Sequence, residues 1–149
     1  EELIDKFFEG YFGPAAPEMR VIFDQLRLLT EYNKEYNEMG GNATIYLSLT
    51  DEKFWPKDVL QQWMVQYDLA VEKIAPLKES NPALYESYLE HIQKEKISTL
   101  YLLVECYSYN TSVTLIDAYK AEFKELADKL GVTKYHESSD ISNLYDKWF

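Results

Sequence analysis

Apolar residues recur at helical spacing along most of the chain, and this periodicity restricts the fold more than any other feature. Residues three and four positions apart lie on one face of an α-helix, so stripes with this spacing predict amphipathic helices. The stripes predict helices over about 3–9, 16–38, 56–74, 82–109, 113–130 and 139–147. We therefore predict an all-α fold: one domain of 149 residues, built as a bundle of about five to six helices.

Helix-breaking residues fall between the stripes and set the predicted ends. Gly10–Pro14 is expected to break the first helix, and Gly40-Gly41 to end the second. Pro76 is expected to kink or end the third helix. Asn81-Pro82 predicts a helix start, with a capping side chain followed by proline at the first helical position. Gly131 is expected to end the fifth helix.

Residues 43–49 are the one predicted exception to the helical pattern. Ala43, Ile45, Leu47 and Leu49 alternate with polar residues or tyrosine, which is the period of a half-buried strand. No second strand of equal quality is visible to pair with it. An extended segment lying over the bundle, or on another domain, is therefore an equally consistent interpretation.

The charge balance argues against two classes of partner. The chain has 26 acidic and 15 basic residues, a formal net charge of -11. Such a chain repels phosphate backbones and anionic membranes, so we predict no nucleic-acid partner.

No apolar run is long enough for a membrane span. The single cysteine, Cys106, has no disulfide partner and is expected to be a small buried hydrophobe.

Candidate catalytic residues are few. His91 and His136 share no metal-ligand spacing and are expected on a helix surface and in an exposed turn. Glu105 lies in an apolar run and is either a buried acid or a residue on the polar side of its helix. Glu95 and Lys96 interrupt an apolar stripe, and an ion pair explains them. We therefore predict no catalytic, cofactor-binding or metal-binding residue.

Aromatic residues, at 15% of the chain, are the remaining candidates for binding. Tyr11, Phe12 and Trp55 lie beside predicted helix breaks, and Tyr46 lies in the extended segment. Rings at such junctions either stack on the faces of sugars or fill the end of a bundle. We expect the second arrangement, with contact to a glycan as the alternative.

The first twenty residues carry a more specific signal. A predicted helix leads into Tyr11-Phe12-Gly13-Pro14-Ala15-Ala16 and then into a long helix. Residues 3–19 resemble the segment that follows the catalytic barrel in bacterial glycoside-hydrolase-like proteins of the family named domain of unknown function 4838. The α-glucuronidases resemble it more loosely. Beyond these residues, the likeness extends only to the layout of the helices.

This resemblance implies a longer parent protein with a (β/α)₈ barrel before residue 1 and its catalytic carboxylates on that barrel. The chain is then expected to be a non-catalytic C-terminal helical domain that buttresses the barrel or mediates oligomer contacts, including self-association. It also implies a bacterial protein of the periplasm or cell surface. The alternative, from a different functional class, is a freestanding aromatic-rich helical module that binds glycan or protein.

Overall fold

The computed structural model describes residues 1–38, 50–136 and 138–149, with side chains from 34 to 38 excluded. These parts of the chain are mostly helical, which confirms the predicted all-α class. The predicted extended segment at 43–49, with Tyr46 and the Gly40-Gly41 helix end, lies outside the described residues. The elements in chain order are α1 (Glu2–Phe12), α2 (Ala16–Glu38), α3 (Lys57–Ile74), α4 (Leu77–Ser80), α5 (Pro82–Tyr107), α6 (Val113–Leu130), β1 (Lys134–His136), β2 (Ser139–Asp140) and α7 (Ile141–Trp148).

The first helix ends later than its sequence predicts. It continues through Gly10 to Phe12, and a 3₁₀ turn over Gly13–Ala15 then leads into α2. A glycine inside a helix costs only about 1 kcal/mol, so Gly10 weakens the helix without ending it. The chain changes direction at Gly13 because this residue has a φ of 56°, in the region that favours glycine. A side chain at Gly13 would also collide with the ring of Tyr88 on α5.

Proline and asparagine end and start the central helices as predicted. Pro76 follows the end of α3 at Ile74, and the short α4 comes directly after it. Asn81 caps α5 by accepting a hydrogen bond from the backbone N–H of Leu84 at 3.3 Å, and Pro82 occupies the first helical position. Helix α5 ends at Tyr107, slightly before its predicted end, and a 3₁₀ turn over Ser108–Asn110 follows.

A short β-hairpin precedes the last helix, where the sequence predicts a helix beginning at about Ser139. Strands β1 and β2 pair in antiparallel orientation, with Lys134 opposite Asp140. The backbone N–H of Ile141 then donates to the carbonyl oxygen of Thr133 at 2.9 Å, which ties the start of α7 to the hairpin. The predicted last helix is therefore confirmed as α7, although it begins two residues later than predicted. The hairpin before it was not predicted, because strands of three and two residues are too short to produce a visible period-two pattern.

Two clusters of buried side chains form the core, and α5 contributes to both. The first cluster lies among α1, α2, α3 and α5, and the second among α5, α6 and α7. Polar side chains inside the first cluster satisfy one another: the Tyr67 and Thr99 hydroxyls lie 3.2 Å apart, and Trp63 donates its indole N–H to Gln25 at 2.6 Å. Helix α5 is therefore the element against which the rest of the described chain is organised.

Candidate functional site

Glu105 has a structural partner for each of its carboxylate oxygens. One oxygen accepts a hydrogen bond from the indole Nε1 of Trp148 at 2.8 Å, and the other lies 2.7 Å from Nζ of Lys147. Only 13% of the Glu105 side chain is exposed, so of the two positions that the sequence allows, it occupies the more buried one, under α7. A carboxylate engaged in this way holds α7 against α5.

The two histidines lie far apart in the described structure, one on α5 and one in β1. His91 is half-buried rather than on the helix surface: its Nδ1 donates to the carbonyl oxygen of Tyr11 at 2.7 Å. His136 is exposed, as predicted, although it lies in β1 and not in a turn. No group of three or more potential metal ligands occurs among the described residues.

Cys106 is buried, as its apolar neighbours predict. Burial raises the pKa of its thiol to about 11, and the nearby Glu105 adds to the shift. The thiolate is the reactive form of cysteine, so this side chain is unreactive near neutral pH. None of the described helices is long and apolar enough to cross a membrane.

A groove of about 620 Å³ with apolar walls is formed mainly by α1 and α2. We call it the α1–α2 groove. Its volume lies within the range of pockets that bind ligands or partner side chains. Nearly all of its lining is apolar. The lining residues are Leu3, Ile4, Lys6, Phe7, Phe8, Tyr11, Phe12, Met19, Ile22, Phe23, Leu26 and Glu95.

The groove has a buried floor and an exposed rim. Phe8 and Phe12 belong to the floor and are only 6% and 3% exposed. Leu3 and Phe7 belong to the rim and are 81% and 57% exposed. The helical spacing of Leu3, Phe7 and Phe8 predicted one continuous apolar face on the first helix. This face is present, but only half of it enters the core. Large apolar side chains grouped at the surface are typical of sites where another molecule binds.

Stacked rings hold the open end of the groove. The rings of Phe7 and Tyr11 stack with centroids 5.2 Å apart, and Tyr11 stacks on His91 of α5 at 3.7 Å. Together with the hydrogen bond from His91 to the Tyr11 carbonyl, these contacts attach the end of α1 to α5. The rim aromatic residues are therefore fixed in place before any partner binds, which reduces the entropy lost on binding.

Arg20 connects α1 to α2 on the side of the groove. Its guanidinium group donates to Asp5 at 2.5 Å and to Asp24 at 3.0 Å, and it lies 5.8 Å from the ring centroid of Phe8 and 6.0 Å from that of Phe23. Both carboxylates are thus already engaged by a cation. These ion pairs and cation–π contacts together hold α1 in a fixed position against α2.

Glu95 and its neighbour Lys96 have different environments. Lys96 bridges two other helices, since its Nζ lies 3.1 Å from Asp68 of α3 and 2.6 Å from Glu122 of α6. The predicted ion pair is therefore confirmed for Lys96. Glu95 makes no hydrogen bond or ion pair with any described residue, so an ion pair does not explain it. It keeps access to solvent at the groove wall, but partial desolvation raises the pKa of its carboxyl group.

A second opening, of about 390 Å³, lies between α5, α6 and the hairpin, and we call it the aromatic cleft. Burial raises the pKa of the Tyr101 hydroxyl within it to about 12, so this phenol stays protonated. Lys134 lies at the cleft and has no ion pair among the residues described. The lining comprises Thr50, Trp55, Ile97, Ser98, Tyr101, Leu102, Phe123, Val132, Lys134 and Tyr135.

The aromatic residues singled out in the sequence have different positions. Phe12 fills the core, as predicted for a ring that closes the end of a bundle. Tyr11 and Trp55 pack against the same cluster but stay partly exposed, and they line the groove and the aromatic cleft respectively. Lys6 and Lys134, which also line these openings, carried no signal in the sequence. Tyr46 lies outside the described residues.

Comparisons with protein-family models, curated proteins and solved structures found no match.

Proposed function

We propose that this chain is a non-catalytic helical domain of a bacterial glycoside-hydrolase-like protein, and that the α1–α2 groove packs against the barrel domain of that protein. The observation that carries the proposal is that the groove lining overlaps the segment that carries the resemblance. Eight of the twelve groove residues lie within residues 3–19, the segment that resembles the sequence following such barrels. The proposal places the protein in the periplasm or at the cell surface.

The chemistry of the groove supports packing rather than catalysis. Glycoside hydrolysis normally requires two carboxyl groups across a cleft, roughly 5 to 10 Å apart. Among the lining residues Glu95 is the only acid, and Lys6 is the only other charged side chain. A sugar would also leave its hydroxyl groups without partners on this apolar wall, which is costly. A protein surface with apolar side chains has no such cost.

The test begins with the coding sequence that flanks this segment. A flanking (β/α)₈ barrel is expected. The barrel and the helical domain are then produced separately, and isothermal titration calorimetry measures their association. Flanking sequence without a barrel, or a barrel that does not bind, would refute the proposal.

Two variants locate the contact. Phe7→Asp places a charge on the exposed rim and is expected to weaken association at least tenfold. Val65→Asp is the matched control, because Val65 is 56% exposed, almost the same as Phe7, but lies on α3 outside the groove. Equal effects of the two substitutions would mean that the groove is not the interface.

The aromatic cleft supports a second candidate function, that of a glycan-binding module. Trp55, Tyr101 and Tyr135 supply rings at the opening, and Ser98 and Lys134 supply polar groups. Sugars bind to such combinations of ring faces and hydrogen-bonding groups. This reading requires neither a barrel nor the α1–α2 groove.

Tryptophan fluorescence distinguishes this candidate from the first. Trp63 and Trp148 are buried, whereas Trp55 is partly exposed at the cleft. Saturable quenching by oligosaccharides that disappears in Trp55→Phe would support glycan binding. An unchanged spectrum at millimolar oligosaccharide would remove this candidate and leave the first unaffected.

A further inference from the structure

We infer that the protein surface covering the α1–α2 groove places a lysine or arginine side chain against Glu95. This inference rests on the proposed function, because it specifies the chemistry of the partner that the groove receives. Its starting point is a carboxylate in an apolar wall that has no hydrogen bond or ion pair with any residue the structure describes.

The nearby cations are engaged elsewhere. Lys6, the only cation that lines the groove, lies 2.7 Å from Glu2. The two lysines next to Glu95 in the chain also have other partners: Lys94 lies 2.5 Å from Glu90, and Lys96 bridges α3 and α6. The described chain therefore supplies no counter-ion to this carboxylate.

A partner that covers the groove would remove water from the Glu95 carboxylate, which is unfavourable when no counter-ion is present. An apolar partner that removed water from Glu95 without supplying a cation would leave a charged group in a poorly solvated site. Glu95 is exposed in the open groove, and partial desolvation by its surroundings already raises the pKa of its carboxyl group, so a cover over the groove would add to an existing cost. A partner cation offsets this cost, and its attraction is stronger at the apolar wall than in bulk water.

Charge complementarity selects the same kind of partner. The chain carries a net charge of -11. An anionic partner surface would be repelled, and a neutral one would leave Glu95 uncompensated. A segment with apolar side chains for the floor and one basic side chain for Glu95 satisfies both requirements. A helix with anchors at positions i, i+3, i+4 and i+7 has this arrangement.

Three small probes test the inference without the partner itself. Octylammonium imitates a lysine side chain attached to an apolar body, octanol is its neutral analogue, and octanoate is its anionic analogue. Binding is measured by the chemical-shift changes of α1 and α2 amides in two-dimensional nuclear magnetic resonance spectra. Octylammonium is expected to bind roughly five- to tenfold more tightly than octanol, and octanoate more weakly than both.

Substitutions assign this preference to one carboxylate. Glu95→Gln is expected to remove the advantage of octylammonium over octanol, and Glu95→Lys to transfer it to octanoate. Glu86→Gln is the matched control, because it removes the same charge from an exposed position on α5 outside the groove, and the preference should persist. Circular dichroism verifies that each variant is folded.

The outcomes separate the two levels of the argument. If all three probes bind the groove equally, or if Glu95→Gln keeps the preference for octylammonium, the cation inference is wrong while the groove remains an apolar docking surface. If no probe shifts the α1 and α2 amides, the groove does not accept apolar chains, and the proposed function loses its main support.

Discussion

Phe7 and Phe8 are adjacent on α1, but they differ strongly in burial. Phe7 is 57% exposed on the rim of the groove, whereas Phe8 is 6% exposed and packs in the first core cluster. Replacing each in turn by alanine removes the same atoms from adjacent positions of the same helix. Any difference in stability between Phe7→Ala and Phe8→Ala therefore reports packing and not helix propensity.

The expected magnitudes follow from burial. Complete burial of a phenylalanine side chain contributes about 1.5–3 kcal/mol, and less than half of the Phe7 surface is covered. Phe7→Ala should therefore lower the free energy of unfolding by about 1 kcal/mol, including its stack with Tyr11. Phe8→Ala also leaves a cavity in the core, and such changes cost about 3–5 kcal/mol.

Urea unfolding followed by circular dichroism at 222 nm measures both values. With a denaturant slope of about 2 kcal/mol/M, the midpoint for Phe8→Ala should lie roughly 1 M or more below that for Phe7→Ala. Equal losses would show that Phe7 belongs to the folding core, and the rim would then have no residue reserved for a partner. Loss of barrel binding in Phe7→Ala with stability nearly intact would support the proposed interface.

Three further predictions concern single positions. Gly13→Ala is expected to lower the melting temperature by roughly 4–8 °C, because its positive φ and the Tyr88 ring both oppose a side chain. Gly131→Ala, with a φ of 68° and open space around it, should lose less in the same melt. Glu105→Ala leaves the indole N–H of Trp148 on α7 without its acceptor, so it should lower the free energy of unfolding by about 1–3 kcal/mol. Amide hydrogen exchange should become faster in α7 before it does elsewhere, and unchanged exchange in α7 would contradict this prediction. For Glu95, desolvation raises the pKa in the folded state, so its charge opposes folding once the pH rises through its unfolded-state value near 4.5. Glu95→Gln should therefore gain stability relative to the wild type at pH 7 but not at pH 3.5, and an equal difference at the two values would refute this.

The helices could be predicted because their signals are local. An apolar stripe, a capping asparagine or a proline acts within one or two turns, and α2 extends from Ala16 to Glu38 as its stripe predicts. The errors arise where distant residues decide the outcome. The end of α1 depends on how Gly13 packs against Tyr88 of α5, 75 positions away in the chain. The hairpin likewise depends on pairing between segments too short to show a period.

The groove could be predicted only in part from the sequence, because its shape also depends on contacts between distant residues. The spacing of Leu3, Ile4, Phe7 and Phe8 predicts that they share an apolar face of the first helix, but not how much of that face other helices cover. Exposure is fixed by the way α1 rests on α2 and α5, and by contacts such as the stack of Tyr11 on His91. Glu95 is a clearer case, because the sequence predicts an ion pair for both Glu95 and Lys96. In the fold only Lys96 has one, with acids of α3 and α6.

The division between floor and rim explains how this domain can fold before it meets a partner. The core of α1 consists of Phe8 and Phe12, which are buried by α2 and α5 within this chain. Leu3 and Phe7 add little to that core, so leaving them exposed costs the fold little. Because Arg20 and the Tyr11–His91 stack already hold the rim in place, a partner would gain the apolar contacts without ordering α1 first. The groove is thus better suited to docking of two preformed domains than to folding coupled to binding.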